Sequence, residues 1–201
     1  RLEVLPISKN PNKNLVFIVS AGRTGTQFFG RQLGSIIDDC VSAHEPDRYA
    51  GISRATLESI RRFGFNQVVL LRALRKSGIR HLTQQRLTGK VRDDQLVQAI
   101  HQQRDTYLQK QSASLIVEAY YQWYGLLPCL RSAYPESKVC GIVRDPRTWV
   151  LSLQHRKLRH ALGDLAGKLS PDMIQDKEYV SRWAGMSNFE RACWEWKTMN
   201  G

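Results

Sequence analysis

Apolar residues in this chain follow two rhythms. Leu15–Ser20, Leu115–Glu118 and Val139–Val143 are short continuous runs of mostly aliphatic and β-branched residues. Runs of that length, bounded by turn residues, read as strands buried on both faces of a parallel sheet. Cys40–Ala43 reads as a further short strand, ending at His44-Glu45-Pro46. Between the strands the spacing becomes helical. A helix is expected from about Gly25 to Ile37. Leu57, Ile60 and Phe63 recur at i, i+3 and i+6, and Val68–Leu74 and Leu96–Leu108 repeat the amphipathic theme. Gly64, Gly78 and Gly89 read as breaks between helices. Leu126–Ala133 reads as helix and Pro135 leads into the last strand. Beyond Leu153 the chain reads helical, with a loop near Ser170-Pro171. Arg1–Asn14, with Pro6 and Pro11, reads as an entry loop or edge. The alternation predicts an α/β fold, three layers deep, around a parallel sheet. It predicts one domain over 1–201, carrying a helical excursion over 47–114.

The join between the first strand and the first helix carries chemistry. Leu15–Phe29 runs LVFIVSAGRTGTQFF: a strand, then Gly22-Arg23-Thr24-Gly25-Thr26, then a helix. Such a loop aims backbone N–H groups at one point, and the helix end adds about half a positive charge. Arg23 adds a full one. The arrangement predicts a P-loop-like cradle for a phosphate or sulfate group. It departs from the nucleoside-triphosphatase cradle G-x-x-x-x-G-K-[ST]: no lysine precedes the hydroxyl residue, and the glycines stand too close together. It also departs from the dinucleotide fingerprint G-x-G-x-x-G. The plainer use of the same residues is a tight turn with a solvated arginine.

Lys138–Leu153, KVCGIVRDPRTWVLSL, repeats the logic. The strand ends at Arg144, and Asp145-Pro146 reads as a helix start with Asp145 as its cap. Ser152 stands eight positions after Arg144, about two helical turns along. An arginine at a strand's carboxyl end and a serine on the next helix can hold one phosphate together. Ligands of open parallel sheets sit at those strand ends. Local pairing of Arg144 with Asp145 or with a helix terminus would be the structural use of the same residues.

Together the two segments resemble the sulfotransferase family that uses 3′-phosphoadenosine 5′-phosphosulfate (PAPS). In that family the first loop reads K/R-[ST]-G-T-[ST] and grips the 5′-phosphosulfate. The second motif reads R-D-P-R, with a serine eight positions after its first arginine, and grips the 3′-phosphate. Here those positions are Arg23-Thr24-Gly25-Thr26-Gln27, and Arg144-Asp145-Pro146-Arg147 with Ser152, their first arginines 121 positions apart. Gln27 stands where the family usually has a hydroxyl residue, and its amide can also donate a hydrogen bond. The resemblance covers Leu15–Leu153 and, more weakly, the aromatic segment near Trp194 and Trp196.

The resemblance implies transfer of a sulfuryl group from PAPS to an acceptor hydroxyl, leaving adenosine 3′,5′-bisphosphate (PAP). A sulfuryl group carries less charge than a phosphoryl group, so no metal is expected, and no metal-binding carboxylate set stands out in the sequence. Arg23 and the Thr24–Gln27 loop would face the charge that builds on the leaving oxygen. The acceptor hydroxyl needs a base. A glutamate after the second strand fills that role in several sulfotransferases, which points to Glu45. Other branches use histidine, which keeps His44 open, and Glu118 at the end of the third strand is a further candidate. Trp149 reads as packing, and Trp194 and Trp196 as lining either the core or the nucleotide. The family usually has more chain after this point, so the chain reads as C-terminally incomplete.

Charge and composition narrow the partners. The formal net charge is +12, which speaks to partners and not to fold. Between Asp47 and Ser114 there are 13 Arg and Lys against five Asp and Glu, so most of the excess sits in the excursion. That segment suits an anionic acceptor such as a glycan, lipid or small molecule; its plainer use is a set of solvated helix faces. No base-reading motif accompanies it, so nucleic acid is not expected. No apolar run approaches the length of a bilayer span. Cys40, Cys129, Cys140 and Cys193 are dispersed, with neither C-x-x-C nor zinc spacing, and Cys140 falls in a buried-strand pattern. They point to a reducing cytoplasm, with the Golgi lumen as the alternative if an N-terminal anchor precedes Arg1. Two other functions fit the same loop: a nucleotide-binding module without catalysis, and a divergent nucleotide-dependent kinase that would need the missing lysine.

Overall fold

The computed structural model describes residues 13–47, 53–65, 68–69, 78–154 and 169–200. Its strands are β1 (Asn14–Ser20), β2 (Cys40–His44), β3 (Leu115–Ala119) and β4 (Lys138–Ile142). They form one four-stranded sheet in the order β2-β3-β1-β4, and every pairing is parallel. Helix α1 (Thr26–Ile36) joins β1 to β2. Helices α2 (Arg54–Phe63), α3 (Ile79–Leu87) and α4 (Asp93–Gln109) lie between β2 and β3. A 3-10 segment (Tyr121–Leu126) and α5 (Leu127–Ala133) lead to β4. Then come α6 (Pro146–Gln154), the short α7 (Pro171–Ile174) and α8 (Lys177–Val180), a 3-10 turn (Trp183–Gly185) and α9 (Asn188–Asn200).

Alternation along β1 divides the core, because successive side chains of a strand point to opposite faces. Phe17 and Val19 enter the main cluster with Ile79 and Leu82 of α3, Leu96, Ile100, Tyr107 and Leu108 of α4, and Trp123, Leu126 and Leu130. Phe17 meets Trp123 edge-on at 5.3 Å and stacks on Tyr134 at 5.7 Å. Val16 and Ile18 face the other way, onto Phe29 and Leu33 of α1. Helices therefore cover both faces of an α/β sheet. Helix α1 presses closely on β2: a Cβ on Gly30 would lie 2.6 Å from the backbone nitrogen of His44. Only glycine fits there, and the contact brings the start of α1 to the carboxyl end of β2.

The strand order positions the site. From β1 the chain runs to β2 at one edge, returns to β3, and then crosses β1 to reach β4 at the other edge. The connections thus leave in opposite directions around β1, which puts the ligand crevice of an open parallel sheet at its carboxyl end. Register does the rest: Ser20 pairs with Ile142, so the segments that follow β1 and β4 emerge side by side.

Several sequence expectations meet the structure directly. Gly64, Gly78 and Gly89 all adopt positive φ at the ends of α2 and α3. Part of the predicted Val68–Leu74 helix, residues 70–74, lies outside the described residues, as do residues 1–12 of the entry segment. Two readings need correction. Leu57 is 59% exposed, and among the described side chains of α2 the buried ones are the polar Thr56 and Ser59, which bond to Ser53 and to the Pro46 carbonyl. The strand before Arg144 is not buried: Cys140 and Gly141 are exposed and Val143 is 66% exposed, because β4 is an edge of the described sheet. The loop expected near Ser170-Pro171 covers Leu169 and Ser170, and Pro171 begins α7 with Ser170 at its N-cap.

Candidate functional site

The loop after β1 is wound into an unusual shape. Gly22, Arg23 and Gly25 have φ of 76°, 56° and 93°. Left-handed backbone is free for glycine and costly for arginine, so Arg23 is held there by its surroundings. The Gly22 N–H donates to Ser20 Oγ at 3.0 Å, and the Gly22 carbonyl accepts from the Trp149 indole at 2.8 Å. Trp149 is fully buried on α6, beside Ala21. Gly25 is the N-cap of α1 and no side chain caps that helix. The first N–H groups of a helix have no partner within it, so this end presents donors and positive potential. Thr24 Oγ1 is buried and has no hydrogen-bond partner among the described residues. Gln27 is exposed; with its amide oxygen toward Arg31 it accepts a hydrogen bond at 2.8 Å along α1.

The second segment closes onto the first. Arg23 Nε donates to Ser152 Oγ at 3.0 Å, and Arg144 Nη1 donates to the Arg23 carbonyl at 2.9 Å. Arg144 Nε also donates to Thr148 Oγ1 at 3.1 Å. Asp145 does not take Arg144 as its partner. Its carboxylate caps α6, accepting from the N–H groups of Arg147 and Thr148, and pairs with the Arg147 guanidinium at 2.9 Å. Those bonds, the Arg147 side chain first, hold the Asp145 carboxyl below the usual aspartate range. Arg144 is thereby left to the loop. From α9, the Trp196 indole donates to the Arg144 carbonyl at 3.0 Å.

The three base candidates fare differently. Glu45 follows β2 with φ of 46°, its N–H donating to the Ala119 carbonyl at 3.2 Å. His44 Nδ1 stands 3.2 Å from the same carbonyl. A carbonyl only accepts, so Nδ1 carries the proton. In the neutral ring Nε2 is then the lone-pair nitrogen, and it faces Glu45 Oε1 at 3.9 Å. Glu118 is spoken for. It is 1% exposed, accepts from Arg104 Nε at 3.1 and 3.0 Å, and accepts from the Trp123 indole at 3.2 Å. Arg104 is wholly buried and reaches Asp47 Oδ2 at 3.3 Å. Desolvation works against its charge, and Glu118 and Asp47 outweigh it, holding Arg104 above the ordinary arginine value. Burial pushes the Glu118 carboxyl up, against the pull of Arg104.

Sequence reading passed over several residues at this end of the sheet. Asp47 also accepts from the Ile79 N–H at 3.3 Å, so one buried carboxylate ties the start of α3 to the end of β2. Tyr121 lays its ring against Gly22, where a Cβ would meet it at 3.7 Å. Its hydroxyl accepts from Arg80 Nη2. The only signal for these was the aromatic cluster Tyr120-Tyr121 after the third strand. Trp194 is core, donating to Asp176 at 2.9 Å. All four cysteines are free thiols. Among the described residues no His, Cys, Asp and Glu cluster is arranged to hold a metal, and no helix is long and apolar enough to cross a membrane. No protein-family model, curated protein or solved structure matches the chain.

Proposed function

We propose that the chain is a sulfotransferase that uses PAPS and an acceptor hydroxyl. The observation that supports this most is the meeting of two distant segments, through Arg23 Nε on Ser152 Oγ and Arg144 Nη1 on the Arg23 carbonyl. A strand end, a helix end and two arginines converge where an anion with two charged groups would sit. The residues fit such a group. Thr24 carries an unpartnered buried hydroxyl, α1 has no side-chain cap, and two glycines of the loop take the left-handed turns. In this reading Arg23, Thr24, Gly25 and Thr26 form a P-loop-like cradle for the 5′-phosphosulfate, and Arg144 and Ser152 hold the 3′-phosphate. Gln27 contributes its backbone N–H, its side chain being turned to Arg31. PAPS, when bound, supplies the sulfuryl group. Arg23 and the cradle N–H groups stabilise the negative charge that develops against them, a role in which fixed donors have the largest effect. Glu45 takes the acceptor proton, and His44 holds the end of β2 through its bond to Ala119. Glu118 is withdrawn from that role by its ion pair with Arg104.

Calorimetric titration with PAP, 5′-AMP and Mg-ATP tests the reading. Tight binding of PAP that needs the 3′-phosphate and no added metal is the expected result. Equal binding of all three, or none, would overturn it. Glu45→Gln should bind PAP normally and lose turnover on the order of a hundredfold or more, as general-base removal does; full turnover would remove Glu45 from the mechanism.

A further inference from the structure

Arg80 stands out on α3. It is exposed and sits in the first turn of α3, which holds no acidic residue of its own and whose first N–H donates to the Asp47 carboxylate. Its described hydrogen bond goes from Nη2 to the Tyr121 hydroxyl, and its guanidinium lies 6.0 Å from the centre of that ring. Tyr121 in turn rests on Gly22 of the β1–α1 loop. Partial desolvation works to lower the Arg80 pKa, and the Tyr121 and Tyr120 hydroxyls and the Glu45 carboxylate outweigh it. The buried Asp47 fixes this neighbourhood, lying two residues after Glu45 and accepting from the N–H of Ile79, next to Arg80.

We propose that Arg80, positioned by Tyr121, is the acceptor-specificity residue, and that the acceptor carries a carboxylate or sulfate near the hydroxyl that meets Glu45. This rests on the sulfotransferase reading and names its substrate class. Two features favour an anionic acceptor here. Arginine binds carboxylate and sulfate oxygens through a planar fork of N–H donors, and a tyrosine hydroxyl occupies only one of them. The excursion that carries it holds 13 Arg and Lys against five Asp and Glu, an excess that favours anionic partners.

The test uses two matched pairs of acceptors with PAPS as donor. One pair is 4-nitrophenyl β-D-glucuronide and the corresponding glucoside. The other is N-acetyltyrosine and N-acetyltyrosinamide. Within each pair only the carboxylate changes. The protein should favour the anionic member of at least one pair by tenfold or more in kcat/KM. Arg80→Gln should erase that preference through KM, with kcat, PAP affinity and melting temperature unchanged, and Arg80→Lys should restore part of it. Equal use of both members, a preference that survives in Arg80→Gln, or no turnover of any of the four while PAP binds normally would each overturn the proposal. Failure to bind PAP at all would instead overturn the sulfotransferase reading beneath it.

Discussion

Arg104 and Arg144 stand at the same end of the same sheet and do opposite things. Arg104 is wholly buried between Glu118 and Asp47, with charge matched inside the protein. Arg144 spends its described hydrogen bonds on neutral oxygens, the Arg23 carbonyl and Thr148 Oγ1, while Arg147 takes the nearby carboxylate of Asp145. A buried cation between two carboxylates is a structural part: removing it leaves uncompensated charge. A cation whose local acid is already paired, beside the β1–α1 loop, is the one that the proposed function assigns to an anion from outside. The type of residue is the same, and the partners decide the role.

The sharpest way to break this contrast is Arg104→Met. It strands two buried carboxylates and should destabilise the protein by about 3–5 kcal/mol, read from urea unfolding. A loss below about 1 kcal/mol would mean the cluster does not hold the fold. Raising the pH probes the same interior. Tyr107 is 2% exposed and its phenol is pushed up to about 12 by burial, with Tyr134 also raised by burial and by its bond to Asp105. Because the folded values lie above the unfolded value near 10, their stabilisation is complete below about pH 10 and is lost as pH rises beyond it. Stability should fall by on the order of 2 kcal/mol between about pH 10 and pH 12. A flat profile there would show that these hydroxyls reach water.

The rim should respond differently. Arg144→Ala should leave the melting temperature near its starting value and weaken PAP by roughly ten- to a hundredfold, the worth of a charged hydrogen bond. Unchanged affinity, or a large loss of stability, would erase the distinction between the two arginines. The smallest effect belongs to Asp145. Its carboxyl is held below the ordinary range, so its contribution is present above the unfolded value near 4 and is lost as pH falls through the folded one. Since it is exposed, acid should loosen the start of α6 without unfolding the protein, a change visible in amide exchange at Thr148.

The two arginines also mark what could be read from sequence. Strand, loop and helix around Arg23, and the Arg144-Asp145-Pro146 turn, are local patterns, and local patterns set these elements. Their juxtaposition follows from the parallel pairing of β1 with β4, which spacing made plausible and only strand order settles. Arg104 gave no signal, lying among polar residues of α4 that look solvated until Glu118 and Asp47 close around it. Glu118 ends a strand exactly as a base would, and only that long-range pairing withdraws it. Leu57 and Cys140 were misjudged for a related reason: exposure of one helix face and of an edge strand is decided by what else packs there, and their own neighbours in sequence do not carry that information.

The pairing of β1 with β4 has a kinetic consequence. Val16 to Ser20 align with Lys138 to Ile142, so more than a hundred residues are looped out before that ladder can close. Closures of that span form late and slowly compared with local contacts. A ligand gripped by the loops on both strands would find no site until the ladder exists. It should therefore leave the refolding rate nearly unchanged and slow the unfolding rate, acting as a latch on a step already completed.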